Sequence, residues 1–160
     1  MVNRRDVGAW LSRPRDTLAE QGIDLGYRGQ RLGLPAEGRG AVAGFGRRLL
    51  ALMIDWFASM LVVRLLFPLV AGSAATSDTG LIVLGVFGLE VAALTWLGGS
   101  SFGQRIARVG VTRVDGSRLG LGRSLVRTVL LCLAVPALIW DRDSRGLHDR
   151  AVGSVCVRLR

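Results

Sequence analysis

The stretch Arg47-Arg48-Leu49-Leu50-Ala51-Leu52-Met53-Ile54-Asp55-Trp56-Phe57-Ala58-Ser59-Met60-Leu61-Val62-Val63 decides the fold. It belongs to an apolar block running from about Gly46 to Val70, opened by two arginines and closed by Pro68 and Gly72. At about 1.5 Å of rise per helical residue, such a block crosses a hydrocarbon core of about 30 Å. Apolar residues fill it continuously instead of recurring at helical or strand period, as in a segment that meets lipid on most sides.

Two further blocks follow. One runs from about Gly80 to Leu97 and stops at Gly98-Gly99, close to the minimum spanning length. Its small residues Gly85, Gly88 and Ala92 form a stripe that lets another helix approach closely. The other, Leu125 to Trp140, is shorter, contains Arg127 and is broken by Pro136.

Composition fits the same class. Half of the 160 residues are hydrophobic, the net charge is +9, and all 21 basic residues are arginine. The arginines flank the apolar blocks and no DNA- or RNA-binding motif accompanies them, so they read as topology determinants and no nucleic-acid partner is expected. Cys132 lies in an apolar block and Cys156 near the C-terminus, without the spacing of a disulfide pair or metal site. Met1 to Asp6 is polar with no apolar run behind it, so no cleavable signal peptide is expected. No metal or cofactor is called for, and the lack of a nucleophile–base set or phosphate loop argues against an enzyme.

Between the blocks the chain is polar. Residues 1–44 read as an Arg- and Gly-rich arm, with a short helix around Asp16–Gln21. Gly22, Gly26, Gly29, Gly33, Pro35, Gly38 and Gly40 then suggest turns and mobile chain. Residues 45–160 read as one membrane domain, with helices at about 46–70, 80–97 and 125–140. In the segment 98–124, Val109, Val111 and Val114 lead into Asp115-Gly116, which predicts a hairpin at about 108–121. Val155, Val157 and Leu159 predict a tail strand at about 152–159.

Charge sets the orientation. The connection 73–79 has no Arg, whereas the arm and the segment 98–124 are rich in it, so the N-terminus is expected inside and 73–79 outside. The tail after Trp140 is basic as well, with Arg142, Arg145, Arg150, Arg158 and Arg160. A third block that enters and returns at Pro136 keeps this tail inside; three plain spans put it outside. A returning segment requires protein to cover its backbone polar groups, and it lets the tail strand pair with the hairpin.

Ionisable groups at membrane depth cost about 2.5–3.5 kcal/mol each on insertion scales and need a reason to be there. Arg48 and Asp55 are seven residues apart and share a helix face, Asp55 roughly 10 Å deeper. Glu90 lies eight residues before the end of the second helix, at a similar depth of about 12 Å, and Arg127 reaches that level from the third block. Arg64 points away near the outer end, where snorkelling accounts for it. The ordinary reading of the set is a structural clamp of neutralising pairs. The functional reading is a polar pocket for an ion, a proton or an anionic head group.

These residues fall within a recognisable ordered set. The run Gly44-Phe-Gly-Arg47-Arg48-Leu-Leu-Ala-Leu-Met-Ile-Asp55 resembles the opening of the RDD family of bacterial membrane proteins. Ser101-Phe-Gly-Gln-Arg105-Ile resembles its Thr-x-Gly-Lys-Arg-Leu stretch, and Val114-Asp-Gly-x-x-Leu119 its hairpin. Arg145-Gly-Leu-His148-Asp149-Arg150-Ala-Val-Gly resembles its closing motif, and the arm resembles short actinobacterial members. The resemblance covers about residues 42–158. It implies that Arg48 is the family's name-giving Arg, Asp55 the first Asp and Asp149 the second, with Ser101 in place of Thr and Gln104 in place of Lys. It implies no settled molecular function: transport is suggested for the family, and some members are linked to sodium/proton exchange.

The expectation is therefore an all-α integral membrane protein with two transmembrane helices, a third short apolar helix that either spans or returns, and a small cytoplasmic β element. It is placed in the bacterial plasma membrane, multi-pass, with the N-terminus in the cytoplasm. Arg48, Asp55, Glu90, Arg127 and Asp149 form its candidate intramembrane polar cluster. Two roles follow: a component of ion or small-solute transport built on that cluster, or a scaffold binding a membrane protein or anionic lipid through its basic face. Two or three helices cannot enclose a path, so the partners expected are the bilayer and either further copies of the chain or another membrane protein.

Overall fold

In the computed structural model, residues 26–71, 79–133 and 145–160 are described. The helix expected at Asp16–Gln21 and the bend at Pro136 lie outside them. Two long helices dominate: α1, Phe45–Ala71, and α2, Thr79–Gly98. Then come a short helix α3, Phe102–Ile106, strand β1, Val109–Arg113, helix α4, Leu121–Cys132, short helix α5, Leu147–Ala151, and strand β2, Ser154–Arg158. The chain is mostly helical, with two helices long and apolar enough to cross a membrane, over Phe45–Leu66 and Thr79–Gly98.

Each long helix buries one narrow stripe. In α1 it is Ala51, Asp55, Ser59 and Val63; in α2 it is Val83, Phe87, Val91 and Thr95. Both step by four residues and so run along one face. Trp56 and Phe87 meet edge-to-face across the pair, ring centroids 5.7 Å apart. The other faces leave Leu49, Leu50, Met53, Phe57, Leu61, Leu65, Leu81, Leu89 and Leu97 exposed. An exposed apolar surface of this kind suits a pair of candidate membrane spans.

Helix α4 is built inside out. Ser124, Arg127 and Thr128, spaced three and four apart, are buried, while Leu125, Val126, Val129 and Leu133 face outward. It packs along α2, where Ser124 donates to the Ala92 carbonyl at 2.8 Å and Gly88 lies against Cys132 and Thr128. The described helix begins four residues earlier than the apolar block at Leu125, because Gly120 and Gly122 do not prevent helix formation once Ser124 is anchored on α2.

The sheet corrects the hairpin. β1 pairs antiparallel with β2, Val109 opposite Arg158 and Val111 opposite Cys156, and not with a strand following Asp115-Gly116. The turn forms as its residues dictate, with Gly116 at φ +80° and the Gly116 N–H on the Arg113 carbonyl. The chain then leaves after one rung, Arg113 N–H to the Ser117 carbonyl at 3.0 Å, because Leu119 turns into the core instead of extending the ladder. β2 alternates strictly: Val155 and Val157 pack under Val42, Leu32 and Leu34, while Cys156 joins Ala43, Ala51, Val109, Val111 and Leu119 on the other face.

The end of the arm also departs from expectation. Residues 26–44 are packed chain, not a mobile tether. Gly40 and Ala43 donate to the Arg158 and Cys156 carbonyls, and Arg158 donates back to Ala41, each at 2.8 Å, with a bridge from Val42 to Val157. The described glycines make the expected turns, left-handed at φ +86° for both Gly29 and Gly40, but within fixed, packed chain.

Candidate functional site

The strands, α3, α5 and the start of α1 form a cap at one end of the helix pair, and the five candidate residues meet it in two linked clusters. The first centres on Asp149. Gly146 starts α5 in extended conformation, and the one-turn helix turns Asp149 inward beneath β2, where it is fully buried. Arg127 reaches it from α4, Nε donating to Oδ1 at 2.7 Å, and Arg127 is itself 2% exposed. Arg48 approaches from α1, Nη1 lying 3.7 Å from Oδ2, and its Nη2 donates to the Cys156 carbonyl at 3.3 Å. Ser154 Oγ donates to Oδ1 at 2.9 Å, the Cys156 thiol lies 3.4 Å from Oδ2, and His148 Nε2 is 3.5 Å from the same oxygen. One carboxylate therefore ties together α1, α4, α5 and β2.

Electrostatics follow from this crowding. Burial alone would raise the Asp149 carboxyl; the Arg127 guanidinium, with His148 and Arg48 behind it, overrides burial and holds it well below the usual carboxylate range. Burial, reinforced by the Asp149 charge, pushes the Cys156 thiol up and keeps it protonated.

The second cluster uses the acids of the spans. Asp55 on α1 accepts the Ser101 hydroxyl at 2.5 Å and the Gly103 N–H. Glu90 on α2 accepts the Phe102 N–H at 2.9 Å. Ser101 and Gln104 close a capping box, Gln104 N–H onto Ser101 Oγ at 3.3 Å and Ser101 N–H onto Gln104 Oε1 at 3.0 Å. The first three N–H groups of α3 thus end on side-chain oxygens, two of them supplied by the membrane helices. Gly103 is essential to this approach: a Cβ there would sit 2.2 Å from the Ala51 carbonyl oxygen.

The clusters share a cavity of about 140 Å³ lined by Arg48, Asp55, Gln104, Arg127, His148 and Cys156 together with Phe45, Leu49, Leu52, Val91, Val109 and Leu131. Arg48, Asp55 and Arg127 are thereby brought to one place. Asp149 lies behind Arg127, and Glu90 is outside the lining, on the Phe102 N–H. Ser101, Gly103, Ser154 and Cys156 had no assigned role in the sequence, although Ser101-x-x-Gln104 is a capping-box pattern that was open to reading. Among the described residues no group of three or more acidic, Cys or His side chains is placed to hold a metal ion.

The Arg48–Asp149 and Asp55–Ser101 contacts join three of the four stretches of the resemblance, and a family model extends over the same ground: RDD family, residues 42–153. The chain belongs to the RDD family. The matched region runs from Val42, where the arm bridges to Val157, to Gly153 before β2, so it contains the helix pair and all five candidate residues, with Ser154 and Cys156 just beyond it. No curated protein and no solved structure matches the chain. The two departures from the family stretch acquire meanings here. Ser101 keeps the hydroxyl that Asp55 uses, and Gln104 provides the acceptor that closes the capping box, which a Lys could not.

Proposed function

We propose that this RDD-family chain is an assembly subunit of the bacterial plasma membrane: two spans whose cap, on the cytoplasmic side, is locked in one geometry and offers a basic surface to a partner. The observation that carries this reading is the occupation of the intramembrane acids. Asp55 accepts two hydrogen bonds from the start of α3, Glu90 accepts one on Oε1 while its Oε2 has no partner among the described residues, and Asp149 is held by Arg127. Carboxylates engaged in this way fix helices in place and are poorly disposed to bind and release a cation.

A second reading, a component of solute transport, is supported by one observation: the cavity between the clusters combines charged and apolar walls at the end of the helix pair. The readings separate in proteoliposomes and in native membranes. For the assembly subunit, Asp55→Asn lowers the stability of the cap and the yield of any larger complex together, and the purified chain carries no cation or proton flux. Deleting residues 1–25 removes the partner and leaves the cap folded. For transport, Asp55→Asn abolishes flux while the protein inserts and assembles as before.

A further inference from the structure

We infer that the open groove between the start of α4 and the turn joining α5 to β2 holds the phosphate of an anionic membrane lipid, with an acyl chain lying along the outward face of α4. This goes beyond the assembly reading and does not depend on it. Charge is the first support. The groove, about 450 Å³, falls in the range of about 300–1,000 Å³ typical of small-ligand sites, and it is lined by Arg113 and Arg123 with no acid. Arg113 gives its Nη1 to Asp115 at 2.9 Å and to Ser117 Oγ at 3.0 Å in the adjoining turn. Arg123 is exposed and makes no hydrogen bond or ion pair among the described residues. Asp115, outside the lining, feels both guanidinium groups, so the three side chains carry one positive charge in excess. One phosphodiester supplies the balancing charge and the acceptor oxygens that Arg123 lacks.

The second support is the face of α4 on which the groove lies. Gly122, Val126, Val129 and Leu133 follow one another at intervals of four, three and four, and Arg123 is three before Val126, so all of them share one side of the helix. Gly122, Arg123 and Val126 line the groove, while Val126, Val129 and Leu133 are 51%, 59% and 61% exposed. The basic groove therefore runs directly into an apolar track.

The third support is depth. α4 lies antiparallel to α2, with Ser124 bonded to Ala92 and Cys132 against Gly88. At about 1.5 Å per residue these contacts are about 9 Å and 15 Å from the Gly98 end of α2. The arginines thus lie toward the end of the span and the apolar track runs deeper, the order in which a lipid places its phosphate and its chain. A free phosphate gains the charge but nothing from the track. A zwitterionic lipid gains the track, but its own cation competes for the phosphate.

The test is native mass spectrometry of the full-length protein in a neutral detergent, titrated separately with phosphatidylglycerol, phosphatidylcholine and glycerophosphate. The inference requires one phosphatidylglycerol retained per chain at least fivefold more tightly than phosphatidylcholine, with millimolar glycerophosphate unable to displace it. Arg123→Gln must cut that preference below twofold with an unchanged circular dichroism spectrum. Arg118→Gln, which removes an exposed arginine outside the groove, must leave it in place. Val129→Asn, which interrupts the track and keeps both arginines, must weaken retention at least threefold. Arg113→Gln takes the place of Arg123→Gln if the latter fails to fold. Displacement by glycerophosphate would show a site for a free anion and overturn the lipid. Equal retention of the two lipids, or equal losses in Arg118→Gln and Arg123→Gln, would overturn the groove, and unchanged retention in Val129→Asn would overturn the track.

Discussion

Replacing Asp149 by Asn retains the shape of the side chain and removes its charge from beneath two guanidinium groups. Arg127 then remains 2% exposed with its closest counter-charge gone, and Arg48 loses the carboxylate 3.7 Å away. Attraction between unit charges about 4 Å apart is about 4 kcal/mol at an effective dielectric of 20, and removing one member of a buried pair typically costs about 3–5 kcal/mol. Asp149→Asn should therefore destabilise the cap by about 3–5 kcal/mol, a large share of a typical total stability. Arg127→Met should cost less, because Asp149 keeps Arg48, His148 and Ser154 as neighbours. The combination Arg127→Met with Asp149→Leu removes donor and acceptor together and should return to within about 1–2 kcal/mol of the native protein, a strong non-additivity. Reversible unfolding in mixed micelles, followed by circular dichroism, measures all of these. If Asp149→Asn cost under about 1 kcal/mol, or the double variant showed the sum of the single losses, the clamp would not be what ties α4 to the tail.

Gly103→Ala drives a Cβ into the Ala51 carbonyl, so α3 must lift off α1, at a cost of about 1–3 kcal/mol and with faster proteolysis at Arg105 or Arg108; an unchanged unfolding midpoint would contradict the packing. Asp55→Ala leaves the Ser101 hydroxyl and the Gly103 N–H without their acceptor and should cost about 2–4 kcal/mol, whereas Glu90→Gln keeps an acceptor for Phe102 and should stay within about 1 kcal/mol; equal losses in the two unfolding curves would refute this division. Because the Asp149 carboxyl is depressed in the folded protein, its stabilisation is complete above the unfolded value of about 3.9 and is lost only as pH falls through the lower folded value. The raised Cys156 thiol acts in the opposite direction: its contribution is complete below about 8.5 and is lost as pH rises beyond that. These two contributions are therefore flat from about pH 5 to 8, and Cys156→Ala should reduce the decline of the unfolding midpoint above that range.

The apolar blocks declared the two spanning helices from their length alone, and charges at depth singled out Arg48, Asp55, Glu90 and Arg127 as residues needing partners. The partners were harder to read because they depend on chain return. Arg127 and Asp149 are 22 residues apart, and Arg48 and Asp149 more than a hundred, so no local periodicity connects them. The hairpin expectation failed where two principles competed: Asp115-Gly116 specifies a turn, but β1 finds a better partner in β2, whose alternation buries Val155 and Val157 on one face and Cys156 on the other. In residues 26–44 the expected turns form but the chain is packed, because glycine signals a positive φ as readily as mobility, and burial of Ala41, Val42 and Ala43 decides which. The Ser101–Gln104 box was legible but lacked a reason to matter until Asp55 and Glu90 were found at its mouth.

The tail folds back onto the end of the helix pair where α1 begins, so that Asp149 meets Arg48. Single cysteines at Arg160, Arg39 and Ser77, in a background with Cys132 and Cys156 replaced by Ala, test it by labelling intact cells with an impermeant maleimide. The positions near the tail and in the arm should label only after the membrane is opened, and position 77 should label from outside. Labelling of the tail from outside, with the arm still shielded, would put Asp149 and Arg48 on opposite sides of the bilayer and contradict the clamp.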